Sequence, residues 1–170
     1  KVILLTGGAD GIGWECATAY ARAGAIVCLA DTAPSGREKT GFLPGGRHSF
    51  FACDVTSEKD VEATIHGIME KHGRLDHIHN NAGTARPSKP LHETTEEEWN
   101  AVMNVNVKGI YLTTKHGIAC LKTSRGSILH TSSLVGSIGQ ENHAAYVATK
   151  GAVNALTKAM ALDYAPFGVR

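Results

Sequence analysis

The chain opens Lys-Val-Ile-Leu-Leu-Thr-Gly-Gly-Ala-Asp-Gly-Ile-Gly over Lys1 to Gly13, an apolar run of strand length that breaks at once into glycines. Few folds accept such an opening. Val2 to Leu5 are continuously apolar, as in a strand buried on both faces of a parallel sheet, and Gly7 supplies backbone angles that other residues resist. Trp14, Ala17, Ala21 and Gly24 then follow at helical spacing. The turn therefore aims a helix N-terminus, with unpaired N–H groups and the positive end of its dipole, at whatever sits above the strand. Glycine lets a ligand approach the backbone there, and a pyrophosphate is the expected guest. A tight strand-to-helix connection is the plain alternative on this stretch alone.

Ala25 to Ala30 reads as a second buried strand and ends at Asp31, which closes one strand-helix-strand unit. In a dinucleotide site, an acid at the tip of the second strand accepts the ribose hydroxyls of the adenosine half. That favours NAD over NADP. Asp31 facing a 2′-phosphate would meet like charge at about 4 Å, a cost of up to roughly 4 kcal/mol per charge pair at an effective dielectric of 20. Asp10 inside the glycine turn adds to this, and neither position offers an Arg or Lys to receive the phosphate.

Thr32 to Gly46 is a Pro/Gly-rich loop with one short helix around Gly36 to Lys39, and Arg47 to Cys53 forms a third strand running into Asp54-Val55. Ser57 caps a helix whose first turn is acidic and whose apolar stripe, Val61, Ile65, Ile68 and Met69, ends at Gly73. Leu75 to His79 is the fourth strand. It leads into Asn80-Asn81-Ala82-Gly83. Thr94 or Thr95 caps a long helix to about Lys122, with Trp99, Val102, Met103 and Ile110 on its buried side. Ser127 to Thr131 is the fifth strand; a polar loop, Ser132 to Asn142, precedes a helix from Ala144 to Tyr164. Strands alternating with helices give an α/β chain, a Rossmann-like doubly wound parallel sheet. Right-handed crossovers order it 3-2-1-4-5, with the ligand crevice at the carboxyl ends of strands 1 and 4.

The 170 residues are of single-domain length, with no internal repeat or dividing linker. A formal net charge of +1, with both signs mixed along the chain, gives no electrostatic case for nucleic acid or an anionic membrane. Cys16, Cys28, Cys53 and Cys120 are widely spaced, and three fall in apolar helix or strand patterns, so small buried thiols in a reducing, cytoplasmic setting are expected. Nine histidines fall in no metal-ligand box, and no metal is expected. His79 and His130 stand at strand positions where apolar residues belong, the place of satisfied core histidines or, alternatively, of a pH-sensitive pair beneath the site.

Tyr146 and Lys150 are four apart on one helix and share a face, about 6 Å apart along its axis. A phenol of ordinary pKa about 10 is roughly 0.1% ionised at neutral pH and needs about three units of depression, near 4 kcal/mol, to serve as a base. One ammonium at about 4 Å supplies that at an effective dielectric of 20. A hydroxyl such as Ser133, 13 residues earlier, is placed to hold a substrate oxygen in line with the phenol.

Thr6-Gly7-x-x-x-Gly11-x-Gly13, Asn80-Asn81-Ala82-Gly83, Asn104-Val105-Asn106-Val107-Lys108-Gly109, Ser132-Ser133 and Tyr146-x-x-x-Lys150 occur in this order. Together they resemble the short-chain dehydrogenase/reductase family over nearly the whole chain. The resemblance implies an NAD-dependent oxidoreductase acting on a secondary alcohol or ketone. Tyr146 is then the general acid/base, Lys150 lowers its pKa and holds the nicotinamide ribose, Ser133 orients the substrate, and Asn106 places a water for proton release. Thr6, Gly7, Asp10, Gly11, Ile12, Gly13, Asp31, Asp54, Val55, Asn81, Ala82 and Gly83 hold the dinucleotide, with Asp54 at the adenine. Ser132 is the competing serine. Gln140 and His143 are candidate substrate contacts, and with Glu141 and Asn142 they make that side polar, as a hydroxylated substrate would want. The family also implies homodimers or homotetramers formed through the helices around Trp99 to Lys122 and Ala144 to Tyr164. It implies sixth and seventh strands beyond Arg170, so the chain is expected to be part of a longer enzyme, with Ile128 and Leu129 on an uncovered edge. Alternatives are a non-catalytic NAD-binding fragment and an NADPH-linked carbonyl (3-oxoacyl) reductase.

Overall fold

Val2–Thr6 (β1) sits at the centre of a parallel sheet, between Ile26–Asp31 (β2) and His77–Asn80 (β4), with Ser49–Ala52 (β3) and Ser127–His130 (β5) outside them. This computed structural model describes residues 1–170, and its strand order, β3-β2-β1-β4-β5, is the expected one. Five helices fill the crossovers, Gly11–Arg22 (α1), Ser35–Thr40 (α2), Glu58–His72 (α3), Glu96–Met103 (α4) and Gly109–Ser124 (α5), and Val135–Ile138 (α6) and Ala144–Tyr164 (α7) follow β5. None is long and apolar enough to cross a membrane.

Alternation along the strands divides the core into two layers. Leu4, Cys28, Ala30 and Ile78 face one way and pack on Ile65 and Ile68 of α3 and Leu112 and Leu121 of α5. Leu5, Val27 and Leu29 face the other way, onto Ala17 and Ala21 of α1. Each fully buried Leu or Ile contributes about 1.5–3 kcal/mol, and β1 gives side chains to both layers. Burial pushes the Cys28 thiol up to about 12, as expected of an inert core cysteine.

The helix ends follow their local chemistry. Ser57 Oγ accepts from Asp60 N at 3.3 Å, and Gly73 closes α3 at φ +68°. At α4 the cap is Thr95, whose Oγ1 accepts from Glu98 N while Glu98 accepts from Thr95 N, a reciprocal capping box.

Several expectations need correction. β4 begins at His77 because Leu75 enters the core outside the ladder, while the buried Asp76 carboxylate turns back to accept Val2 N at 2.8 Å and the Arg74 guanidinium at 2.6 and 2.9 Å. Burial pushes that carboxyl up, but Arg74, the Val2 N–H and Lys1 outweigh it and hold it well below the usual carboxylate range. The long helix from Thr95 is interrupted at Asn104–Lys108, where a π-helical turn separates α4 from α5. The loop after β5 contains α6. The β5 edge is partly covered: Ile128 N donates to Arg170 O at 2.7 Å, Arg170 N donates to Gly126 O at 3.1 Å, and Val169 is buried in the core, although Leu129 stays 45% exposed.

The histidines at strand positions are satisfied core residues. His79 meets Tyr20 Oη and Thr131 Oγ1, His130 meets Asn80 Nδ2, and His77 meets Ser127 Oγ. Burial lowers the pKa of all three, with the charges of His77 and His130 adding to the effect at His79; His79 and His130 fall to about 4. Below the ordinary 6.5 the unfolded chain therefore binds protons that the folded chain refuses. Stability is fully present above that value and is lost as pH falls towards the folded values, with a ceiling of about 1.4 kcal/mol per pH unit for each histidine. Urea unfolding between pH 7.5 and 4.5 should show the midpoint falling with pH. The fall should be shallower in His130→Asn, and identical slopes in the two proteins would contradict this assignment.

Candidate active site

Gly7 at φ +64° turns the chain out of β1, and Gly11 at φ +52° starts α1. Asp10, the N-cap, makes no side-chain capping bond, so first-turn N–H groups of α1 are available to an anion. The turn is clamped from β4. Asn81 Nδ2 donates to Thr6 O at 3.2 Å and to Gly7 O at 3.0 Å. A Cβ at Gly13 would overlap the Gly7 carbonyl oxygen and lie 2.7 Å from Asn81 Nδ2, and one at Gly7 would lie 2.8 Å from Ala82 Cα. Thr6, expected at the cofactor, lies behind this turn instead: it is buried, and its hydroxyl accepts the N–H groups of Asn81 and Ala82, each at 3.1 Å.

On the β2 side a cavity of about 280 Å³ is lined by Asp31, Thr32, Asp54 and Val55 together with Gly7 and Ala82. Asp31 accepts Ala9 N and Ala33 N, each at 2.9 Å, one on each carboxylate oxygen, and each oxygen keeps a further lone pair. Asp54 turns Oδ1 to the backbone N–H and hydroxyl of Thr56, both at 2.8 Å. A cation does reach the glycine turn, against expectation. Lys39 Nζ donates to Ala9 O at 2.6 Å, lies 3.5 Å from the Asp10 carboxylate, and stands 5.6 Å from the Trp14 ring centroid. It comes from α2, in a loop whose weak pattern carried no signal of it.

On the β4–β5 side a cavity of about 540 Å³ is lined by Asp10, Gly11, Ile12, Gly13, Asn81, Thr84, Ser132, Ser133, Tyr146 and Lys150, among others. Both cavities share Gly7, Ala82 and Gly83, so they form one crevice bent around the glycine turn at the carboxyl ends of β1 and β4. A dinucleotide fits that shape. The turn leaves room for a pyrophosphate where side chains would intrude, and a carboxylate and a buried ammonium stand at opposite ends.

Lys150 is only 5% exposed; its Nζ donates to Thr131 O at 2.7 Å and lies 5.6 Å from the Tyr146 ring centroid. Burial lowers its pKa. The two serines differ in their commitments. Ser132 Oγ donates to Asn154 Oδ1 at 2.6 Å and lies 3.3 Å from Lys150 O, both on α7. Ser133 Oγ only accepts, from Val135 N at 3.4 Å, and its proton is free for a ligand.

The π-helical turn buries Asn106 beside this crevice. Its Oδ1 accepts Thr84 N at 2.8 Å, and its Nδ2 donates to Thr84 O and Thr149 Oγ1, each at 2.9 Å. With both ends of the amide engaged, the side chain ties the segment after β4 to α7. Gln140 is exposed, His143 is half-buried with Nδ1 at 2.9 Å from Glu141 O, and neither lines the crevice. Thr84 and Val105 line it without having been given a role in the sequence; Thr84 follows the quoted Asn80-Asn81-Ala82-Gly83 and Val105 lies inside the quoted Asn104 to Gly109 motif, which was the available signal.

The family model described as short chain dehydrogenase matches residues 1–170. The L-fucose dehydrogenase of Oryctolagus cuniculus is 43% identical over 171 residues, covering all of this chain and 60% of that protein. A cyclopentanol dehydrogenase of Comamonas sp. (strain NCIMB 9872) is 39% identical over 174 residues, again covering the whole chain and 69% of the relative. The chain thus spans about 60% of the length of L-fucose dehydrogenases that it matches. Among solved structures, 3-ketoacyl-(acyl-carrier-protein) reductase from Brucella melitensis complexed with NADH superposes with a TM-score of 0.96 at 33% identity, over the whole chain and 72% of that one. With the glycine turn, the crevice and the Tyr146–Lys150 helix already in place, these matches establish that the chain belongs to the short-chain dehydrogenase family.

Proposed function

We propose that the protein is an NAD-dependent oxidoreductase that moves a hydride between nicotinamide and a secondary alcohol or its ketone, with Tyr146 as general acid/base. The observation that carries this reading is the buried Lys150 ammonium beside the Tyr146 ring, on the same crevice wall as the uncommitted Ser133 hydroxyl. When bound, the nicotinamide supplies the hydride acceptor or donor. Ser133 donates its free proton to the substrate oxygen and holds it towards the phenol. Tyr146 takes the proton of an alcohol, or returns it to a ketone oxygen, and Lys150 stabilises the phenolate electrostatically. Two of the Lys150 N–H groups remain for a ribose and the phenol after the bond to Thr131 O. Since both Nδ2 protons of Asn106 are engaged and its Oδ1 already accepts Thr84 N, a water in the proton path would meet the backbone of the π-helical turn.

Asp31 supports NAD over NADP, because its carboxylate lines the adenosine end. Lys39 softens the electrostatic penalty without removing it, since its ammonium is already bound to Ala9 O and sits by Asp10. The relatives act by name on L-fucose and cyclopentanol, both bearing a hydroxyl on a ring carbon, and we take a ring-borne secondary alcohol as the substrate class. Self-association through α5 and α7 is supported by a groove of about 380 Å³ lined by Ile110, Tyr111, Leu156 and Met160, with Tyr111 55% exposed.

Three outcomes are expected. Tyr146→Phe in the intact protein should lower kcat on L-fucose or cyclopentanol about 10³-fold while NAD affinity stays within about threefold; turnover surviving in the variant would remove Tyr146 from the acid/base role. NAD should bind at least about 100-fold more tightly than NADP, and Asp31→Ser should close most of that gap. Equal affinities in the unsubstituted protein would defeat the Asp31 argument. In sedimentation equilibrium the protein should exceed monomer mass, and Tyr111→Glu should lower that mass.

A further inference from the structure

We infer that His79 is a positioning residue for this site: wedged between Tyr20 and Thr131, it fixes the carboxamide of Asn81, which braces the glycine turn. The inference rests on the proposed cofactor reading only where it speaks of NAD affinity. His79 is 3% exposed, and its ring nitrogens meet Tyr20 Oη at 3.1 Å through Nδ1 and Thr131 Oγ1 at 3.0 Å through Nε2. Thr131 Oγ1 lies 3.1 Å from Asn81 Oδ1, and Asn81 Nδ2 reaches the Thr6 and Gly7 carbonyls.

Only one direction of donation satisfies this chain. Two carbonyls face Asn81 Nδ2, so that atom must be the donor and Oδ1 the acceptor. Oδ1 then takes the single proton of the Thr131 hydroxyl, so the approach of His79 to Thr131 must be a donation from Nε2–H. Neutral His79 is left with a bare Nδ1, which accepts from Tyr20. A leucine would fill the same space without setting this order. With no donor at Nε2, the Thr131 hydroxyl is free to rotate away from Asn81, and Asn81 Oδ1 loses the donor that holds that end of the amide. Thr131 also supplies the carbonyl that holds Lys150 Nζ, so the same residue meets both halves of the crevice.

The test uses the intact protein with His79→Leu, His79→Gln, whose amide nitrogen can donate where Nε2 does, and Thr131→Val. Hydrogen exchange of residues 6–13 without cofactor should quicken at least about tenfold in His79→Leu and Thr131→Val and stay near the unsubstituted rate in His79→Gln. NAD dissociation constants should rise about tenfold in the first two and little in the third. Nitrogen NMR of the unsubstituted protein should find His79 protonated at Nε2 at pH 7; protonation at Nδ1 overturns the inference. Unchanged exchange in both His79→Leu and Thr131→Val also overturns it, and Thr131→Val answers alone if the leucine variant does not fold. Faster exchange rescued by glutamine in a protein that binds no NAD would uphold the brace and overturn the cofactor reading instead.

Discussion

The Asn81 carboxamide, donating to the Thr6 and Gly7 carbonyls, is the contact on which the geometry of the crevice depends. It joins the end of β4 to the point where β1 becomes the glycine turn, and Gly13 must lack a side chain so that the turn can close against it. Thr6 answers from the other side by accepting two N–H groups of the β4 extension. Leaving any one of these buried groups unpaired costs about 1–3 kcal/mol. The two strand ends are therefore held together, and the opening they frame sits where the strand order reverses, the usual place for a ligand in a doubly wound sheet.

Asn106 does for the opposite wall what Asn81 does for the turn. The π-helical step at Asn104–Lys108 rotates its amide between Thr84 and Thr149, so one buried side chain locks the segment after β4 to the helix bearing Tyr146 and Lys150. Such bulges occur often at functional sites because they re-aim a side chain inside an otherwise regular helix. Lys150 is then fixed from below by Thr131 O. Polar side chains buried at Asn80, Asn106, Thr113, Thr149 and Lys150 lie along this seam, and each has a hydrogen-bond partner.

The sheet and its order were legible because parallel strands buried on both faces announce themselves as apolar runs, and the caps at Ser57 and Thr95 because they act within one turn. The Tyr146 to Lys150 spacing sets a shared helix face by itself. What escaped depends on distant partners. Nothing local to Asn104–Lys108 marks a π turn, since Val102 and Ile110 keep an apolar stripe across it. Lys39 reaches Ala9 across 30 positions, and His79 reaches Tyr20 across 59. The start of β4 was misjudged because a polar network, Asp76 with Arg74 and Val2, overrides the hydrophobic pattern there.

A crystal structure of the intact protein with NAD is the measurement that bears most directly on this account. The pyrophosphate should lie over Gly11 to Gly13, the adenosine ribose within hydrogen-bond reach of Asp31, and the nicotinamide ribose beside Lys150 and Tyr146. A dinucleotide bound anywhere else, or a nicotinamide end remote from Tyr146, would contradict it.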